Sequence, residues 1–550
     1  MKKTCVGTCL INELHRRGVR HVFGIPGDYI LGFYDLLARS ALQHVGTTSE
    51  GTAGFAADAY ARVRGLGAAC VTYCVGGFNL MNATAEAYAE KSPLVIISGA
   101  PGIKEREKDP LLHHRVREFT TQKEIFEKIT VASVLLDDPE TAPAQIRRVL
   151  NAAETHKRPV YIELPRDMTL REVRPVSTAT GSDHPSSDRG ALAEALSESL
   201  EMINQSRHPV ILADVEMHRF GLQHALVTLA EKTNIPVAAT FLGKSVFSEV
   251  HPLYLGVYEG ALGHEEVREA VEDSDCLLML GCFLTDINMG IGTSKLDLGN
   301  TLYATSEKIM VRHHRYDGIL LEDFIHGLLR ARLRKRPMPD ILHPNHNGTL
   351  PFQASRRITT QRLFALINDR LQDDTVVIAD VGDSLFGAVD LKIHRRTEFF
   401  SPAYYTSMGF GVPAALGAQL ARPALRPLVL VGDGAFQMTG MELSTIAHRK
   451  LNPIVIVLDN QGYGTERFIQ DGPFNDIPRW AYHEVTKVFG AGKGFAVCTE
   501  GDFVQAFQAA EAERHQFSLI NVLLEKTDRS TAMDRFAKRL SRNAKTPKTR

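Results

Sequence analysis

At 550 residues the chain is longer than one hydrophobic core usually serves, so two to four domains are expected. With 44% apolar and 23% charged residues and a formal net charge of −1, it offers no electrostatic hold on nucleic acid or a membrane surface. No apolar run approaches the roughly 20 residues that span a bilayer.

The N-terminal stretch "MKKTCVGTCLINELHRRGVR" reads as an amphipathic helix. Asn12, Glu13, His15, Arg16 and Arg17 interrupt its apolar part too early for a signal-peptide core. Apolar, β-branched runs then alternate with helical-period stretches: "HVFGIPG", "AACVTYCVGG", "PLVIISGAP", "HPVILADVE", "DCLLMLGCF", "DDTVVIADVGD", "RPLVLVGDG" and "NPIVIVLDN". Short buried strands separated by helices predict α/β architecture, with doubly wound parallel sheets. Two aperiodic stretches, 171–190 and 332–353, are rich in Ser, Pro and Asp or in Pro, and read as linkers. They divide the chain into domains at 1–172, 190–332 and 354–550. The basic tail "KRLSRNAKTPKTR" reads as a solvated end. The seven cysteines, mostly in apolar segments (Cys70, Cys74, Cys276, Cys282) and without metal-ligand spacing, suit a reducing cytoplasm better than a disulfide framework.

The first and third domains share a plan. "CVTYCVGGFNLMNATAEAYAEKSPLVIISG" and "PLVLVGDGAFQMTGMELSTIAHRKLNPIVIVLDN" each give a strand, a Gly-x-Phe turn, a helix and a second strand. Duplicated domains of this kind face one another, and ligands bind at the carboxyl ends of their strands.

One strand raises a chemical problem. "LVLVGDG" ends a buried run on Asp433, held between Gly432 and Gly434, and a buried acid is costly unless something pairs with it. The glycines, and Ala435 after them, let backbone approach a ligand, and the following helix offers its amides to an anion. A carboxylate there would repel a phosphate unless a divalent cation joined the two. Asn460, 27 residues on and at the end of the next strand, can add its amide oxygen, and Gly462 its carbonyl. A magnesium ion would then have three protein oxygens.

This Gly-Asp-Gly with its later Asn resembles the thiamine-diphosphate motif of the 2-oxo acid decarboxylases, in the pyruvate, indolepyruvate and phenylpyruvate branch. The likeness runs nearly end to end, through "FGIPGDY", "TSEGTAGFAADAYAR", "AYAEKSPLVIISGAPG", "LLHH", "ADVGDSLFGA", "MGFGVPAALGAQ" and "DGPFNDI". The resemblance implies thiamine diphosphate and Mg²⁺ as cofactors, a small 2-oxo acid as substrate, and aldehyde and CO₂ as products. It implies that Asp383 and Ser384 lie near the diphosphate and that Glu50 hydrogen-bonds the aminopyrimidine ring. It also puts Met408 under the bent cofactor and the Thr406 carbonyl opposite the pyrimidine amino group. Asp28, His113, His114 and Glu466 fill the family's proton relay, for which imidazoles beside carboxylates are suited at neutral pH. In the family the first domain of one subunit faces the third domain of another. A homodimer is therefore the minimum unit, and a homotetramer is the family habit.

Substrate choice rests on departures from the family pattern. Val381 stands where many relatives carry a polar residue, Leu385 replaces a large ring, and Thr465 replaces an aliphatic residue. Phe386 follows Leu385, and Met533, Phe536 and Leu540 of a C-terminal helix should close the pocket. A leucine for a ring enlarges the cavity and favours longer or aromatic 2-oxo acids over pyruvate, though one methylene decides only about 1–3 kcal/mol. Asp286, ending a middle-domain strand, reads either as part of a substrate-activation site or as a plain turn acid. Two rivals remain: an acetolactate-type carboligating enzyme, which lacks this relay, and a silent binding paralogue, which should lack a relay or metal residue. No G-x-G-x-x-G opens a helix after the first strand, so a nicotinamide dehydrogenase is not expected.

Overall fold

The computed structural model describes residues 4–173, 186–341, 351–394 and 398–536. Its first helix spans Val6–Arg16 and buries Val6, Leu10, Ile11 and Leu14 on one face. Three sheets organise the rest. The first sheet orders its strands Gln43–Gly46, His21–Gly24, Gly67–Val71, Leu94–Ala100, Val160–Pro165 and Ala132–Leu135, all parallel. The last sheet orders Glu398–Phe400, Thr375–Ala379, Arg426–Gly432, Ile454–Asp459, Ser518–Leu523 and Lys493–Val497, also all parallel. Numbered along each chain segment, both read second, first, third, fourth, sixth, fifth. The internal repeat thus extends from one strand–helix–strand unit to the whole topology.

The middle sheet differs from the all-parallel expectation. Five parallel strands, Tyr254–Tyr258, Val237–Thr240, Pro209–Ala213, Cys276–Leu280 and Thr301–Ala304, are followed by an antiparallel pair, Ile309–Val311 and His314–Tyr316. The connections here are too short for a crossover helix, so the chain can only turn back. The expected linkers also carry structure at their edges. Glu172–Val173 pairs antiparallel with Thr4–Cys5, and Arg334 and Arg336 dock on the middle domain through Asn204 and the Ser206 carbonyl.

The first and third domains meet along equivalent helices, Glu50–Arg64 and Gly411–Ala421. Ala53, Ala56, Ala57, Ala414, Ala415 and Ala418 are all 0% exposed in one shared core. A Cβ at Gly417 would collide with the Ala56 carbonyl, so the backbones approach as closely as glycine allows. Buried Arg62 fixes this contact, gripping Asp58 through two 2.9 Å bonds and reaching the Ser401 carbonyl at 2.9 Å. The four cysteines expected in apolar segments are buried, and all seven are free thiols. Among the described residues no helix is long and apolar enough to cross a membrane.

Candidate active site

In both outer domains the strand order reverses between the first strand and the third. This is the switch point at which open α/β sheets form a crevice at their carboxyl ends. The third domain places there Asp380 to Ser384, after strand Thr375–Ala379, and Asp433, after Arg426–Gly432.

Asp433 is 1% exposed and opens the helix Asp433–Thr439. Its Oδ1 accepts the Gly434 N–H at 2.8 Å and its Oδ2 accepts the Gly462 N–H at 3.1 Å. Burial pushes its carboxyl up to about 7, and nearby Asp459 adds to the shift. The acid is therefore short of positive charge, and the donor set beside it suits a hard divalent cation. Gly462 is held by the neighbouring 475–476 turn, where its Cβ would strike the Asn475 carbonyl. Asn460 precedes it by two residues, with its amide next to the Gly464 backbone. A Cβ at Gly434 would press on the Tyr463 ring, whereas one at Gly432 would meet nothing within 4 Å. The turn thus faces open space on the side a ligand would occupy.

The second turn joins the first. A Cβ on Gly382 would touch Thr465 Oγ1 at 3.5 Å, on the helix Gly464–Ile469 that carries exposed Glu466. Ser384 Oγ and Thr465 Oγ1 are both buried without a hydrogen-bond partner. Native proteins rarely leave such groups unpaired, and the pair fits a site that receives the polar atoms of a ligand. Asp383 is turned another way: both its oxygens accept hydrogen bonds from Ser530.

Asp380, which the sequence reading passed over, holds the third segment. It is 0% exposed and accepts the N–H groups of Val381, Gly409 and Gly411 at 2.8, 3.1 and 2.7 Å. Burial still pushes its carboxyl up to about 6. Its grip fixes the loop bearing Thr406, at φ 55°, and Met408, whose side chain is more than a third exposed.

The pocket residues separate into two groups. Leu385, expected on the pocket wall, is 1% exposed and lies in the core under the sheet. Phe386 is the ring that the turn presents, 4.5 Å from Phe536 and 5.6 Å from Phe241 of the middle domain, a contributor the sequence did not suggest. Met533 is buried behind Ser530. Val381 is half-buried on the turn itself. Leu540 lies outside the described residues. Asp286 binds the N–H of its own neighbour, Ile287, at 2.9 Å, as a turn acid does.

The first domain gathers the other candidates. His113 Nε2 lies 2.8 Å from Asp28 Oδ2. The His113 ring stacks on Tyr29 at 4.8 Å, and the His114 ring stands edge-on to His113 at 4.8 Å. His114, at φ 66°, buries its Nδ1 without a partner. Arg166 lies over the Tyr29 ring at 5.0 Å, with its guanidinium 3.8 Å from Asp28. Tyr29 and Arg166 were missed because single residues in a strand–turn sequence carry no motif. Glu50 starts its helix behind a reciprocal Ser49–Thr52 capping box and accepts a 2.8 Å hydrogen bond from Asn79. The hydrogen bonds described for Glu50, Asp28 and His113 all stay within the first domain, and those of Asp433 stay within the third.

Comparison with known proteins identifies the family. The N-terminal TPP-binding domain of thiamine pyrophosphate enzymes matches residues 5–125, the central domain 196–301, and the C-terminal TPP-binding domain 380–522. An indole-3-pyruvate decarboxylase of Azospirillum brasilense is 38% identical, covering 96% of each chain. An alpha-keto-acid decarboxylase of Mycobacterium leprae is 32% identical over 95% of this chain and 93% of its own. A pyruvate decarboxylase of Aspergillus fumigatus is 31% identical over 97% and 96%. Among solved structures, a Rhodococcus jostii thiamine diphosphate-dependent 4-hydroxybenzoylformate decarboxylase superposes with a TM-score of 0.80. It is 23% identical and covers 95% of this chain and 99% of that one, a likeness of fold. The chain belongs to the thiamine pyrophosphate enzymes, among the thiamine-diphosphate-dependent 2-oxo acid decarboxylases.

Proposed function

We propose that the chain converts longer or aromatic 2-oxo acids, phenylpyruvate and indolepyruvate foremost, to aldehyde and CO₂, with pyruvate a poorer substrate. The observation that carries the reading is the buried, under-compensated Asp433 beside Asn460 and Gly462, in one corner with the unpartnered Ser384 hydroxyl. Asp433, Asn460 and the Gly462 carbonyl hold Mg²⁺, and Ser384 with the 432–435 turn receives the diphosphate. When bound, thiamine diphosphate supplies the electron sink that an acyl anion lacks.

The chain's own residues do the rest. Glu50, fixed by Asn79, presents its carboxyl to the pyrimidine ring. His113 exchanges a proton between Nε2 and the Asp28 carboxylate, and His114, edge-on beside it at 4.8 Å, is the second imidazole of the relay. Glu466 completes the relay from the third domain. Because the halves sit in different domains, Glu50 and the histidines of one chain serve the Asp433 corner of another, in a homodimer that pairs into a tetramer. Phe386, Phe536 and Thr465 line the substrate end, and the relative named for indole-3-pyruvate supports an aromatic preference. The free thiols support a cytoplasmic location.

Aldehyde release from pyruvate, a branched-chain 2-oxo acid, phenylpyruvate and indolepyruvate, with thiamine diphosphate and Mg²⁺, tests this. The aromatic acids should show the highest kcat/KM. Silence on all four, or acetolactate without aldehyde, would contradict it.

A further inference from the structure

Beneath the first-domain half of the site lies a buried polar network with no direct part in the reaction. Gln122, 0% exposed on the helix Thr121–Glu127, uses both ends of its amide. Its Oε1 accepts the Cys74 N–H at 2.5 Å, and its Nε2 donates to Ser98 Oγ at 2.7 Å and to the Tyr161 hydroxyl at 2.6 Å. Tyr161 in turn donates to Glu163, which also accepts a bond from Arg106 at 3.2 Å. Cys74, 1% exposed, stands at φ 50° and ψ −73°. These dihedrals approach those of the γ-turn with positive φ, a rare and strained conformation that persists only when its surroundings impose it.

Core filling does not account for this arrangement. A buried amide carries a desolvation cost that an apolar side chain of the same size would not. Its acceptor is spent on the N–H of the strained residue, and Gly77 leaves room for it, since a Cβ there would strike the amide. Segment 72–79 is also what the first-domain site residues rest on. A Cβ at Gly76 would touch Glu50 Oε1 at 3.5 Å, and Asn79 donates to Glu50 Oε2 at 2.8 Å. Thr72 packs against Gly27, next to Asp28, so closely that a Cβ on the glycine would strike it. Tyr73 stands edge-on to Tyr29 at 5.9 Å, and its hydroxyl donates to the Phe119 carbonyl, beyond His113 and His114 on their loop.

We infer that Gln122 is a positioning residue: by holding the Cys74 N–H, it keeps segment 72–79 in its strained form, and so keeps Asn79 against Glu50 in the orientation that meets the cofactor. The inference rests on the thiamine-diphosphate reading above. It gives a task to a side chain that touches neither substrate nor cofactor.

Calorimetric titration of thiamine diphosphate into the full-length, cofactor-depleted protein with Mg²⁺, alongside Tm, tests it. Gln122→Met, similar in length but without an acceptor, should weaken binding at least about tenfold. Adding Cys74→Gly should return affinity to within about threefold, because glycine adopts positive φ without a steric penalty. Ser98→Ala removes a partner of Nε2 but leaves the bond to Cys74, so it should lower Tm and keep affinity within about threefold of the unaltered protein. A merely structural role would make affinity follow Tm in both variants and would give no rescue. Unaltered affinity in Gln122→Met, or a double variant as weak as the single one, would overturn the inference. If Gln122→Met does not yield folded protein, Gln122→Asn, whose carbonyl falls one methylene short of Cys74, should show the same loss and the same rescue. No loss there would overturn the inference. Failure of the unaltered protein to bind would instead remove the cofactor reading itself.

Discussion

Asp383 holds Ser530 with both carboxylate oxygens, accepting its N–H at 2.8 Å and its hydroxyl at 2.5 Å. The acid sits beside Ser384 at the 380–384 turn, and the serine begins the C-terminal helix that brings Phe536 onto Phe386. The turn and the closing helix are therefore tied by one residue pair. An amide at 383 would set its NH₂ against one of the two donors and lose at least one bond, costing about 1–3 kcal/mol. Asp383→Asn should raise KM for the 2-oxo acid several-fold and speed tryptic cleavage at Arg529 or Arg535. Unchanged protection and KM would show that the pair does not hold the helix.

Asp380 predicts a pH dependence. Burial raises its carboxyl from the ordinary range to about 6 in the folded protein. Between about pH 4 and 6 the folded state then binds more protons than the unfolded one, so this group's contribution to stability falls as pH rises and is level above that window. The full effect approaches about 3 kcal/mol. Asp380→Asn should flatten this part of the decline in Tm of the cofactor-free protein between pH 4 and 6.5, while lowering Tm at pH 4 through the bond lost to Gly411. A Tm profile of unchanged slope would show that Asp380 titrates normally.

The contact of the duplicated domains is tightest at Gly417. A methyl group there meets the Ala56 carbonyl, part of rigid helix backbone. Gly417→Ala should cost roughly 2–4 kcal/mol by forcing the helices apart. A Tm within a degree of the unaltered protein would show that the interface is loose.

The alternation of apolar runs with helical stretches made three sheet domains legible, and "LVLVGDG" with Asn460 pointed to two turns that the structure joins through Asp433 and Gly462, because both patterns are local. Contacts across the chain were not. Glu90 meets Tyr404 over 314 residues and Asp380 meets Gly411 over 31, and a single sequence carries no signal for such pairs. The antiparallel edge at 309–316 was hidden because strands of three residues with few apolar positions fall below any periodicity. Leu385 and Phe386 show a related limit: neighbouring residues on a short helix face different ways, so Phe386 meets Phe536 while Leu385 packs in the core.

Two single substitutions probe the proposed site. Glu50→Gln should slow turnover by orders of magnitude with the fold intact, and near-normal rates would remove its role. Asp433→Ala should weaken retention of thiamine diphosphate in Mg²⁺, and unchanged affinity would argue against a metal at this acid.

Mixing these two variants after dissociation and reassembly tests the division of the site between chains. A mixed dimer has one crevice with both substitutions and one with neither, so random pairing should restore about a quarter of full activity. Activity that stays at the level of the separate variants would place Glu50 and Asp433 in the same chain's crevice and contradict the account.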